Sequence, residues 1–131
     1  MMKSLVAAVS ILASLLFGLT PVAAQTCLRD NVAGQRAEGR LTLGRYRDAA
    51  DRPQSAYILL LTAPTCLASD DPDYRVKSTQ KIHIHSSSDK IHATIQRHVG
   101  ATIRVHGKPY SAHTAHHHAP IVFDVSKIAR R

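Results

Sequence analysis

Beyond residue 24, apolar residues recur at every second position in short runs separated by turn residues, the period of strands with one buried face. Residues 36–47 carry Leu41 and Leu43 in alternation, with Gly39 and Gly44 as bend or bulge positions. Asp48, Asp51 and Pro53 supply turn chemistry. Tyr57–Leu61 is then a continuous apolar run, read as a central strand that Pro64 ends. An acidic loop, Asp70–Asp73, leads into a third strand over 75–85, where Ile82 and Ile84 face inward and His83 and His85 outward. Ser86–Asp89 is an N-cap cluster. Ile91, Ile95 and Val99 mark one face of a short helix, with Gly100 at its C-terminal end. A fourth strand over 101–106 stops near Gly107 and Pro109, and a fifth, Ile121–Val125, places Ile121, Phe123 and Val125 on one face.

Three strands, a helix and two more strands predict a mainly β fold. The order is that of a small five-stranded OB-like barrel (the oligonucleotide/oligosaccharide-binding architecture), with one short helix between strands three and four. An open antiparallel sheet with the helix laid across it is the rival.

The first residues address the chain to the cell envelope. Lys3 precedes an apolar run from Leu5 to Leu19, and Val22-Ala23-Ala24 fits the small-residue pattern of a cleavage site. The run is shorter than the roughly 20 residues a membrane span needs. Residues 1–24 are read as a signal peptide cut after Ala24, and 25–131 as one OB-like barrel domain, periplasmic or secreted, with no transmembrane segment. In an oxidising compartment the two cysteines, Cys27 and Cys66, are read as a structural disulfide.

The chain has a net charge of +8, of which cleavage removes only Lys3. The basic residues are dispersed, and few aromatics accompany them, which argues against nucleic acid as a partner. All nine histidines fall between His83 and His118. Four of them, His113, His116, His117 and His118, lie with Thr114 in the connection between strands four and five. In an OB barrel that loop neighbours the one joining strands one and two, so Asp48 and Asp51 are possible neighbours of the cluster. His116 and His118 project the same way if the loop is extended, with His117 opposite and His113 folding back. That makes His113, His116 and His118 a candidate ligand set for Zn²⁺ or Cu²⁺. The other reading of the imidazoles is a hydrogen-bonded lock on the hairpin. His83 and His85 are placed at the far end of the barrel from this loop, and His92 and His98 on the solvent side of the helix.

The C-terminal third carries a resemblance. Gly107, Ala112, His113, Thr114, His116, His117, His118 and Pro120 spell a G-x-x-x-x-A-H-T-x-H-H-H-x-P run. It resembles the signature of an exported bacterial family, domain of unknown function 4431. Arg40-Leu41 and the Tyr57–Leu60 run ahead of Cys66 resemble upstream segments of the same proteins. The resemblance implies export and an OB-like barrel and brings no established activity. No nucleophile elbow, metalloprotease helix or phosphate loop occurs, so an enzyme is not expected. The expectation is a non-catalytic binding or interaction module for a protein or small ligand of the cell envelope, presenting the His113–His118 loop. The alternative is a Zn²⁺- or Cu²⁺-binding protein.

Overall fold

The computed structural model describes residues 26–131, together with Ser14 and Gly18; the signal peptide expected over 1–24 otherwise lies outside the described residues. The elements are β1 (Leu28–Arg29), β2 (Gln35–Arg47), β3 (Pro53–Ala68), β4 (Val76–His85), α1 (Asp89–Arg97), β5 (Thr102–Ser111) and β6 (Ile121–Arg130), with a single 3-10 turn at Pro72–Tyr74. Among the described residues, no helix is long and apolar enough to cross a membrane.

The five long strands close on themselves. β3 pairs with β2, β2 with β5, β5 with β6, β6 with β4, and β4 returns to β3. Every contact is antiparallel except β4 with β6. This is the closed, mainly β OB-like barrel with its helix between the third and fourth long strands. β1 adds a short parallel pairing, Leu28 opposite Leu67, beside the Cys27–Cys66 disulfide.

Alternation builds the core. Leu41, Leu59, Ile82, Ile84, Ile103 and Phe123 point inward and are fully buried. The helix begins where Ser88 Oγ accepts from the Ile91 amide at 3.3 Å, and it buries Ile95 in the barrel. It ends at Arg97, so Val99 lies past it and is 43% exposed. His98 caps the helix, and Gly100 takes a φ of +91° two residues later. There its amide donates to Leu41 O at 2.7 Å, so the turn is pinned to β2.

Three sequence signals for breaks did not break strands. Pro64 lies inside β3, where the β3–β4 register shifts between Leu60 and Thr65, so the missing N–H falls in an irregular stretch of the ladder. β5 runs on through Gly107 and Pro109 to Ser111, because a bulge at His106/Gly107 absorbs the irregularity. A Cβ at Gly107 would collide with Asp124 O, so only glycine admits that approach. Gly39, expected at a bend, instead pairs in regular register with Leu61 and Ile103. Its missing side chain makes room for the backbone of Leu60.

Candidate functional site

Residues on the outside of the barrel wall alternate with the core set. From β2 and β3, Tyr46, Gln54, Ala56 and Ile58 face outward; from β4, His83 and His85; from β6, Val122; and from β5, Tyr110. The β5–β6 loop, residues 112–120, folds back over this surface. Ala56, Ile58 and Ala119 are buried as a second, small apolar cluster with Tyr46 packed against it. Val122 is fully buried although it points away from the core.

Above that patch the aromatic rings form one continuous group. Tyr46 stacks on His118 with centroids 4.1 Å apart and planes 6° from parallel. His118 packs on His83 at 5.9 Å, and His83 on His117 at 6.2 Å and on His85 at 6.5 Å. His117 meets His113 at 4.8 Å, and Tyr110 touches His85, His113 and His117.

His83 and His85 are therefore in the cluster, not at the far end of the barrel. β4 and β6 run parallel with His83 opposite Val122, so the last residues of β4 lie beside the first residues of β6, where the loop lands. His117 likewise joins its neighbours instead of pointing away. Its amide donates to Thr114 O at 3.1 Å, making a turn in place of the extended run the alternation argument assumed.

Each imidazole of the cluster has one of its two ring nitrogens committed. His118 N–H donates to His83 Nδ1 at 3.2 Å, and His113 N–H to His117 Nδ1 at 3.1 Å. His113 Nδ1 donates to Ser111 O at 3.0 Å, and His85 Nε2 pairs with the Tyr110 hydroxyl at 2.7 Å. Gln54 bridges two imidazoles: its amide nitrogen lies 2.8 Å from His116 Nδ1, and its carbonyl oxygen 3.0 Å from His118 Nε2. The candidate metal trio of His113, His116 and His118 is thus directed to Ser111 O and to the two ends of the Gln54 amide. Among the described residues, no group of three or more His, Cys, Asp or Glu side chains is arranged to hold a metal ion. Thr114 contributes a hydroxyl that accepts from the His116 amide at 3.3 Å.

The predicted acidic neighbours are mostly occupied with their own turn. Asp48 accepts from the amides of Ala50 and Arg52, each at 2.9 Å, and from the Arg52 side chain. The Arg52 amide above all holds its carboxyl below the usual range, and the charge of His116 adds to this. Asp51 pairs with Arg47 at 3.7 Å. His92 packs edge-on against Tyr57, and His98 donates to Thr94 O at 2.7 Å, so neither is a simple solvent-facing residue.

Spare hydrogen-bonding capacity lies next door. A cleft of about 310 Å³ beside the loop is lined by Asp30, Asn31, Tyr74, Tyr110, Ser111 and His113. Asn31 is in a left-handed conformation, φ 58°, and its amide donates to Pro109 O at 2.8 Å, which fixes this wall against β5. Asp30 uses one carboxylate oxygen to accept from Ser69, leaving the other open. The Asn31 side-chain amide, the Ser111 hydroxyl and His113 Nε2 make no hydrogen bond to another described residue. Tyr74, on the 3-10 turn, is 46% exposed. Apart from His113, sequence pattern carried no signal for this cleft, because its residues come from three separate segments.

Gln54 carries no periodic or motif signal either, yet it joins the two loops. Gln54→Ala is expected to cost about 1 kcal/mol, two half-exposed side-chain hydrogen bonds. It should also speed amide exchange across 112–120, as read by urea unfolding and NMR. Unchanged exchange would show that the bridge does not hold the loop.

Residues 81–129 match the family model described as Domain of unknown function (DUF4431). The match runs from the end of β4 almost to the end of β6. It contains every histidine of the chain but leaves out Tyr46, Gln54 and Asp30. No curated protein and no solved structure matches the chain.

Proposed function

We propose that this protein is an exported, non-catalytic binding module, periplasmic or secreted, that takes a small hydroxyl-rich ligand of the cell envelope in the cleft beside the His113–His118 loop. The observation that carries this reading is the division of labour between rings and cleft. Each imidazole of the cluster has one ring nitrogen tied to Gln54, to the Tyr110 hydroxyl or to a backbone group, and the rings pack on one another, which suits a wall. Asp30, Asn31, Ser111 and His113 keep open donors and acceptors around a concavity flanked by two phenol rings. A few convergent polar groups between aromatic faces suit a sugar, whose hydroxyls need partners and whose ring has an apolar side. OB barrels take oligosaccharides with neighbouring parts of the same surface.

The test is NMR titration of ¹⁵N-labelled residues 25–131 with chitotetraose as the probe. Shifts centred on Asn31, Ser111 and His113, and an affinity at least about tenfold weaker in Tyr74→Ala, are expected. Tyr74 packs little, so the variant should keep its fold. No shifts at millimolar sugar, or shifts elsewhere on the barrel, would overturn the reading.

A further inference from the structure

Two backbone amides of the 112–120 loop donate to imidazole nitrogens: His118 N–H to His83 Nδ1, and His113 N–H to His117 Nδ1. A backbone N–H can only donate, so each receiving nitrogen must present a lone pair. Both rings are therefore neutral, with the proton on Nε2. Adding a proton to either would set one N–H against another.

We propose that the loop is an acid-released latch, held over the outer face of the barrel by neutral His83 and His117 and freed when those rings gain a proton. The surroundings favour this. His83 is faced by His117 and His118 from the loop and by His85 from its own strand; Lys81 precedes it on the same side of β4. Its register partners, Ile58 on β3 and Val122 on β6, carry no charge. His117 is faced by His113, His116 and His118 within the loop, by His83 and His85 on β4, and by Tyr110 on β5. Of the nearby carboxylates, Asp124 lies opposite His85 and acts on Tyr110, and Asp48 is held by its own turn; neither is among the groups that act on His83 or His117. A proton arriving on His83 or His117 thus meets other imidazoles and no counter-charge. Burial first, then the neighbouring imidazoles, pushes His83 down to about 4 and lowers His117 as well.

The direction follows from linkage. A released imidazole titrates near 6.5, so below that pH the open loop binds protons that the closed loop refuses. The bias toward opening grows as pH falls from about 6.5 toward 4, and it is absent at higher pH. Opening uncovers Ala56, Ile58 and Val122, each at most 3% exposed when covered. It also takes His113 out of the cleft wall. The latch does not depend on the cleft having a sugar ligand, because its test follows the loop alone.

The experiment compares amide protection at His113 and His118, corrected for intrinsic exchange, at pH 7.5 and pH 5. It uses wild type, His83→Asn/His117→Asn and His83→Ala/His117→Ala. Asparagine keeps an acceptor near the Nδ1 position and cannot gain the proton. Wild type should lose protection at least about tenfold at pH 5, the asparagine variant should stay protected, and the alanine variant should be open at both. Ring ¹⁵N shifts of wild type give a second measurement, independent of how the variants fold. They should report Nε2–H tautomers for His83 and His117 at pH 7.5 and cations over the range in which the loop opens. Constant wild-type protection, the same acid loss in the asparagine variant, or opening while both rings stay neutral would each overturn the latch.

Discussion

Removing the Cys27–Cys66 disulfide, by reduction or by a double Cys→Ala variant, is expected to lower stability by about 4 kcal/mol. The two cysteines are 39 residues apart, and closing a loop of that length in the unfolded chain removes entropy worth roughly this amount on the chain-entropy model. The structure adds a local reason for a large effect. β1 is two residues long and pairs in the sheet only with the last residues of β3, so beyond the bridge that edge is held by a few hydrogen bonds, among them those of the Asp30 and Asn31 amides. Cys66 is 6% exposed, and Leu28 and Leu67 beside the bridge complete the core. The turn that follows β1 carries Asp30 and Asn31, one wall of the proposed ligand cleft. Reduction should therefore loosen the cleft before the barrel fails. Urea unfolding with and without reductant checks the first point, and amide exchange at Asn31 the second. A loss below about 1 kcal/mol would mean the barrel holds this edge without the bridge.

How legible the protein is from its sequence differs between barrel and site. The alternation of Ile82 and Ile84, of Ile103 and Val105, and of Ile121 and Phe123 identifies strands and their buried faces, because a one-residue slip would turn the whole set outward. The same logic fails at Pro64, Gly107 and Pro109, where bulges let a strand continue past residues that usually stop one. The candidate site is half legible. The local density of imidazoles pointed to the loop, but side-chain direction within it depended on a turn at Thr114–His117 that alternation cannot give. Placement of His83 and His85 needed the offset between two parallel strands, which no local pattern encodes. Gln54, Tyr46, Asp30 and Tyr74 are ordinary residues singly and matter through contacts far along the chain.

Val122 and Phe123 are adjacent, both fully buried, and on opposite sides of the barrel wall, so replacing each with alanine should give two different proteins. Phe123 lies in the main core, opposite Ile84 on β4 and Pro109 on β5. Its truncation removes the largest fully buried side chain in the described structure and should cost about 3–5 kcal/mol, spread over the whole barrel. Val122 lies outside, opposite His83 and Tyr110, on the face over which the loop folds. Val122→Ala should cost about 1–2 kcal/mol, the transfer of two methyl groups. Its signature should be local: faster exchange at His113 and His118, with core amides as slow as in wild type. This separation matters for function. If the loop is a latch, Val122→Ala shifts its balance toward opening and raises the pH at which it releases, whereas Phe123→Ala lowers the melting temperature without moving that pH. Equal losses of core protection in the two variants would show that the loop and the barrel are one cooperative unit, and that acid cannot free the first without melting the second.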